Sequence, residues 1–307
     1  MKESLHDYMK VGIVHFMADP AAMTGEGEIA ASVERIAADD FFDAIEVTHV
    51  KDPAERAAVA AVVSSAGMTV GFGGQPLILR GRLNLNSTDD AERAAAIETL
   101  KGGIDQAYEL GAGKFGFLSG PNPPADQRET ALGLLADSIV QLGRYAASKG
   151  DLTLSLETFD DSTDKCALIG TNRLACELAR EVRKAIPGFG LMVDLSHLPM
   201  QGETVHQALS ETAEFINHAH IGNCVIRDPA DPAYGDKHPA FSHPKGENNV
   251  PQVREFLRGL LDIGYLRSDA PERPIVAFEV QPLSDGESTQ TVIADAKRVL
   301  REAWRTL

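Results

Sequence analysis

Cysteine is scarce: three in 307 residues, Cys166, Cys176 and Cys224, with no C-x-x-C spacing and an odd total. That excludes a disulfide-stapled fold and a cysteine zinc site, and makes a reducing cytoplasm the expected compartment. Long hydrophobic runs are missing too. No stretch reaches the ~18 apolar residues of a membrane span, and the N-terminal MKESLHDYMKVGIVHF lacks the apolar segment and small-residue cleavage site of a secretory signal. Basic residues are in deficit, 29 Lys and Arg against 45 Asp and Glu, for a formal charge of −16. The averaged field repels nucleic acid and anionic membranes, so neither is expected as a partner. Several signature motifs are absent as well. There is no G-x-S-x-G, and Gly71 to Gly74 lacks the Lys-Ser/Thr of a phosphate loop. The literal G-x-G-x-x-G from Gly111 to Gly116 stands between a helix end and the next strand. A dinucleotide site needs strand, turn, then helix, so this one reads as a helix stop.

What is present is an alternation. Short runs rich in Val, Ile, Phe and Leu occur at residues 10–16, 44–49, 68–73, 114–118, 152–157, 190–194, 215–220 and 274–280. Each is followed by a stretch with helical apolar spacing, near 27–39, 53–66, 88–110, 127–149, 171–186, 203–211, 250–263 and 288–305. Ser87, Thr88 and Asp89 precede the third helix, Pro251 sits in the first turn of the seventh, and Gly111, Gly150, Gly188 and Gly264 lie beyond the ends of others. Eight βα units in one chain predict an α/β fold, a single (β/α)8 TIM barrel over residues 1–307 with residues 1–9 as a short N-terminal extension. Barrel sites are assembled at the carboxyl ends of the strands from the loops that follow them. Two such loops are long: Gly74 to Ser87 after strand three, and residues 221–249 after strand seven, predicted as the active-site loop.

Four consecutive strands end in a metal-ligand type: Glu157 after LTLSL, Asp194 after GLMV, His220 after FINHA and Glu279 after PIVAF. Residues two apart on a strand share a face, so Ser155 and Glu157, His218 and His220, and Ala277 and Glu279 point the same way. If those faces look into the barrel, two Glu, one Asp and one His converge at its mouth. Such an O3N set suits a divalent cation such as Mn2+, Mg2+ or Co2+ better than a closed thiolate site, with Zn2+ the further option. Burying this much acid at the ends of apolar strands is costly unless a cation or partners compensate.

Glu157 in LSLE, Asp194 and His197 in VDLSH, His220 in HAHIG and Glu279 in FEV match the xylose isomerase-like superfamily in order and strand placement. Phe42-Asp43-Ala44-Ile45-Glu46 also looks like that family's second strand. The resemblance, as to the tagatose and psicose 3-epimerases and other sugar phosphate isomerases and epimerases, covers about residues 10–305. It implies a metal held by Glu157, Asp194, His220 and Glu279, with His197 close by to contact substrate. It also implies a metal-dependent isomerase or epimerase of a sugar or keto-sugar, in which Glu157 and Glu279, one on each face of the substrate, move protons through an enediolate.

One departure opens alternatives. The epimerases carry a substrate-binding Arg six residues after the strand-seven His, whereas Arg227 lies seven residues after His220 and a long segment follows. That loop holds Arg227, Tyr234, Lys237, His238, His243 and Lys245, a cationic group suited to a carboxylate or phosphate. Arg227, His238 and Lys245, with His197 and with His15 at the end of strand one, are the expected substrate contacts. A lyase of the same fold, decarboxylating a 3-oxo sugar acid or eliminating from a 3-keto-glycoside, is the first alternative. An endonuclease IV-like repair enzyme, disfavoured by the charge, and a non-catalytic sugar-binding barrel follow. The expected partner is a small carbohydrate or sugar acid, and a homo-oligomer is compatible with it.

Overall fold

A computed structural model describes residues 1–307. Eight parallel strands, β1 Lys10–Ile13, β2 Ala44–Val47, β3 Thr69–Gly73, β4 Ala112–Phe117, β5 Thr153–Glu157, β6 Gly190–Asp194, β7 Ile216–Gly222 and β8 Ile275–Glu279, are hydrogen-bonded in the order β1-β8-β7-β6-β5-β4-β3-β2. The seam between β1 and β2 is joined by the Asp43 N–H donating to Val11 O at 2.9 Å and by one parallel bridge between Val14 and Glu46. The ring is thereby brought nearly to closure as a single (β/α)8 barrel.

The helices are α1 His15–Ala18, α2 Ile29–Ala37, α3 Pro53–Ser65, α4 Gln75–Gly81, α5 Asp90–Glu109, α6 Arg128–Ala147, α7 Asn172–Arg183, α8 Leu198–Gln201, α9 Val205–Thr212, α10 Val250–Asp262 and α11 Thr289–Arg305. Those of eight residues or more alternate with the strands, while α1, α4 and α8 are short pieces within βα loops. Local chemistry sets the ends. The Asp89 carboxylate accepts from the N–H groups of Ala91 and Glu92, satisfying two donors that the first turn of α5 leaves open. Beyond its far end Gly111 takes φ +73°, the left-handed conformation that stops a helix, so the glycine-rich stretch ends α5 as its position predicts. No helix is long and apolar enough to cross a membrane.

Two expectations are corrected. The strand predicted over 10–16 stops at Ile13, because the chain turns into α1 at His15 and sends that ring outward to Ser32 Oγ of α2 at 2.7 Å. The segment after β3 is not irregular throughout, since Gln75–Gly81 is helical.

The apolar core lies between strands and helices, where Leu100, Leu135, Phe256 and Leu300 are fully buried. The lumen is different. Barrels of this kind usually fill it with layers of branched aliphatic side chains. Here glycine clears space for polar ones: a Cβ on Gly71 would meet Glu46 Cγ at 2.9 Å, and one on Gly116 would meet Gln75 Nε2 at 3.1 Å. Into that space project Glu46, His218 and His220, all buried.

Candidate functional site

At the carboxyl ends of β5 to β8, one ligand atom from each of Glu157, Asp194, His220 and Glu279 falls within 4.8 Å of the others. Alternation puts them there: each is the inward residue at or near the last position of its strand. The surrounding bonds orient two of the carboxylates in the same way, one oxygen held and one left free. Glu157 Oε2 accepts from Gln75 Nε2 at 2.8 Å, and Asp194 Oδ1 accepts from the Ser196 N–H at 2.7 Å. Glu157 Oε1 and Asp194 Oδ2 are buried and have no hydrogen-bond partner. His220 Nδ1 lies 2.8 Å from Glu279 Oε2 and 3.6 Å from Glu157 Oε1.

His220 is held from below by Glu46, whose Oε1 and Oε2 lie 2.9 and 3.1 Å from Nε2. The same Oε1 lies 2.7 Å from His218 Nε2. Glu46 therefore takes the Nε2–H of His220 and leaves Nδ1 to face the carboxylates. Glu46 closes the β1–β2 seam through its backbone and orients a site residue through its side chain. Its role could have been suspected from an acid standing inside the apolar strand Ala44–Val47, which needs a buried partner. Gln75 gave no such signal, because its contact with Glu157 depends on the fold of α4.

Electrostatics at the site call for positive charge. Burial disfavours an imidazolium at His220, yet Glu46, Glu157 and Glu279 around it hold its pKa well above the ordinary value. Burial also works against ionised Glu46, which the two imidazoles outweigh, holding its carboxyl below the usual range. At Glu279 burial wins and, with Glu157 adding repulsion, raises the carboxyl to about 7 against the opposing pull of His238 and His220. Two carboxylate oxygens without donors, a buried imidazole with a fixed face and this field together fit a divalent cation. The residues that would hold one are Glu157, Asp194, His220 and Glu279.

Of the expected substrate contacts, His197 and His238 come to the site. His197 is fully buried against Phe159, their ring centroids 4.4 Å apart, with Nδ1 2.7 Å from Thr158 O and Nε2 3.1 Å from Asp236 Oδ1. His238 Nε2 lies 2.7 Å from the same Asp236 oxygen and 3.5 Å from Glu279 Oε1. Burial lowers each imidazole's pKa, but the acids beside them prevail, raising His197 to about 10 and His238 to about 9. Arg227, Lys245 and His15 are not brought there. Arg227 is three-quarters exposed and paired to Glu247 at 2.7 Å, and Lys245 is paired to Asp228 at 2.6 Å. The cationic group of residues 221–249 is thus largely neutralised by the loop's own acids. Sequence spacing could not register those pairs.

A cavity of about 230 Å3 opens at Glu279, the one of the four that lines it. Phe16, Met17, Met23, Pro76, Leu79 and Phe159 form an apolar side, and Arg80, Lys165, Asp236, Lys237 and Gln281 a polar one, with Glu279 also lining it. Lys165 ties Asp236 to Asp164 at 2.9 and 3.0 Å. The long loop thus reaches the cavity through Asp236 and Lys237, not through its more distant cations.

The profile of the family described as Xylose isomerase-like TIM barrel matches residues 34–302. A ketose 3-epimerase of Arthrobacter globiformis is 27% identical over 140 residues, 45% of this chain, and the match spans 47% of that protein's length. Solved structures similar in fold include a D-tagatose 3-epimerase-like protein, with TM-score 0.70 and 18% identity over 97% of this chain and 99% of that one. Another is a 3-keto-D-glucoside 4-epimerase from E. coli, with TM-score 0.64 and 14% identity over 95% of this chain and 98% of that one.

Proposed function

This chain belongs to the Xylose isomerase-like TIM barrel family, and on that premise we propose that it is a divalent-metal-dependent isomerase or epimerase of a sugar or keto-sugar. The observation that carries the reading is the convergence of Glu157, Asp194, His220 and Glu279 with two carboxylate oxygens left without donors. The ketose 3-epimerase and keto-glucoside 4-epimerase among similar proteins support the substrate class. A cation bound there, with Mn2+ preferred by the O3N set and Mg2+, Co2+ or Zn2+ as alternatives, supplies Lewis-acid polarisation of a substrate carbonyl and stabilises the charge of an adjacent enediolate.

The chain's own residues do the rest. Glu157 and Glu279 come from strands on different sides of β6 and β7 and serve as the proton-removing and proton-returning groups. His197 and His238 contact substrate hydroxyls. The cavity of about 230 Å3 suits a ligand smaller than the drug-sized molecules that occupy roughly 300–1,000 Å3, and its apolar side excludes water from the carbon that loses its proton. The whole chain acts as one domain, with residues 221–249 as its active-site loop, and its free cysteines suit the cytoplasm.

One observation favours a second reading. Arg80, Lys165 and Lys237 line the cavity and suit a carboxylate, so a 3-oxo sugar acid could lose CO2 there, leaving an enediolate that one Glu protonates. Chelator-stripped protein reloaded with Mn2+ and incubated with ketoses, keto-glycosides and oxo sugar acids in D2O separates the readings. Deuterium entering recovered substrate or its epimer supports the first. CO2 release with deuterium only in the product supports the second. Turnover that survives complete metal removal refutes metal dependence in both.

A further inference from the structure

At the amino ends of the strands, the opposite mouth of the barrel, lies a larger cavity of about 470 Å3. Two β-bulges shape it. The β3–β4 register shifts between Val70 and Gly71, leaving Gly113 as an extra residue ahead of Lys114, and the β6–β7 register shifts between Leu191 and Met192, leaving Asn217 as the extra one. Bulges re-aim the side chains beside them. Thr69, Lys114 and Thr153 share strand faces with Gly71, Gly116 and Ser155, which border the lumen one layer further in, and Asn217 turns inward to accept from Ser155 Oγ at 2.8 Å. We infer that this cavity binds a small oxyanion, the phosphate or carboxylate group of a metabolite, with Lys114 as its charged anchor.

The donors there outnumber their acceptors. Lys114 Nζ donates to Asn217 O at 2.6 Å, which engages one of its three N–H groups, and it makes no ion pair. Its enclosure pulls the ammonium below its ordinary pKa, with Glu272 and Glu46 opposing from a distance. A cation held in that way, short of a carboxylate at contact range, is stabilised by an anion that fills the gap. Asn217 spends its Oδ1 on Ser155, and its buried Nδ2 has no acceptor. Arg273 also lines the cavity; its Nη1 donates to His6 O, and the rest of the guanidinium fork stays available. Thr69 and Thr153 add hydroxyls.

Two acids border the same space. Glu272 is drawn off by Lys10 at 2.9 Å, and Asp151 is exposed, where water screens it. Neither takes the free N–H groups of Lys114. The volume lies within the roughly 300–1,000 Å3 of small-molecule sites, so a metabolite carrying the oxyanion fits better than a bare ion. Lys114 selects charge, and the Arg273 fork favours an oxyanion with two oxygens to offer.

Chelator-stripped protein, which has no metal to hold anions at the carboxyl end, is titrated by calorimetry with inorganic phosphate, with succinate and with glycerol as the neutral control. Wild type should bind one equivalent of phosphate or succinate and no glycerol; tighter phosphate points to a phosphate ester as the natural ligand, tighter succinate to a carboxylate. Lys114→Met should weaken binding by about 10- to 100-fold, the span of a charge-assisted hydrogen bond, and Lys114→Arg should recover most of it. Lys237→Met, at the cavity beside Glu279, should bind the anion as wild type does, and circular dichroism checks each fold. In wild type, saturating phosphate should slow acetylation of Lys114 by acetic anhydride, followed by mass spectrometry, and leave that of Lys237 unchanged. Failure of wild type to bind either anion, unchanged affinity in Lys114→Met, or acetylation of Lys114 indifferent to phosphate overturns the site. Binding lost in Lys237→Met and kept in Lys114→Met places the anion at the carboxyl end and overturns it as well.

Discussion

Glu46 offers the most exposing test of how the site is organised. Its carboxylate does not line the cavity beside Glu279, yet it accepts from His220 Nε2 at 2.9 Å and from His218 Nε2 at 2.7 Å inside a buried lumen. Glu46→Gln keeps the volume and replaces one acceptor oxygen by an amide donor. With its oxygen at the Oε1 position the amide can still accept from His218, but at the Oε2 position it presents an N–H to His220, and that ring must rotate or turn its lone pair inward. If His220 is the one affected, its proton moves to Nδ1, the nitrogen that faces Glu157 and Glu279. The negative charge that strengthens Nδ1 as a donor atom is lost as well. Outer partners of metal-binding histidines are typically worth about 10–100-fold in affinity, roughly 1.4–2.7 kcal/mol. Calorimetric titration of Mn2+ into the stripped variant should show that loss, with far-ultraviolet circular dichroism unchanged. Glu46→Asp, which keeps the charge but shortens the reach, should fall between. An affinity equal to wild type in Glu46→Gln would refute the argument that Glu46 fixes the tautomer of His220.

Three further outcomes are expected. Glu157→Gln and Glu279→Gln each retain an oxygen donor but not a basic carboxylate, so turnover should fall by about 10²–10⁴-fold with metal still bound, measured by solvent-deuterium incorporation; normal turnover in both would end the two-carboxylate mechanism. Lys237→Met, at the cavity wall, should raise KM for an anionic substrate several-fold, whereas Arg227→Met and Lys245→Met, engaged with Glu247 and Asp228, should leave KM unchanged; the reverse ranking would show that the loop rearranges on binding. His15 should govern part of the acid limb of stability. Burial depresses its pKa to about 4 from an unfolded value of 6.5, so the unfolded chain binds the extra proton first and stability falls as pH drops from 6.5 toward 4. The difference corresponds to about 3 kcal/mol, and denaturant titrations of His15→Gln should show a flatter dependence over that window, while an identical slope would remove His15 from the account.

Much of this fold was legible because parallel strands buried on both faces read as near-continuous apolar runs. Each of the strand candidates overlaps an observed strand, and the long helices start and stop at the expected caps and glycines. The first strand was read too long because Phe16 and Met17 continue the apolar run into α1, where the same residues form cavity wall instead of sheet. Within the site, the four strand-end residues were legible through strand alternation, which fixes direction as well as position. Glu46 was read only as part of a second-strand pattern, and Asp236 was not singled out. Their importance lies in which buried imidazoles they touch, and those partners are 172 and 174 residues away for Glu46 and 39 residues away for the His197–Asp236 pair. The cations of residues 221–249 were overvalued for the converse reason: Glu247 and Asp228 neutralise them, and a count of charges along a loop is silent on who pairs with whom.

The thin seam between β1 and β2 has a consequence for dynamics. Every other strand pair is stitched by a ladder of at least three register partners, whereas this edge hangs on the Val14–Glu46 bridge and the two bonds between Asp43 and Val11. Local opening of a barrel begins where the fewest backbone bonds must break. Here the residue at the weak edge is also the one that steadies His220, so breathing of the wall and wobble of the ligand are one motion. Amide hydrogens around Val14 and Glu46 should then exchange early in the stripped protein. A cation gripping His220 from the other side would slow them, although no atom of the seam lies among the four strand-end ligands.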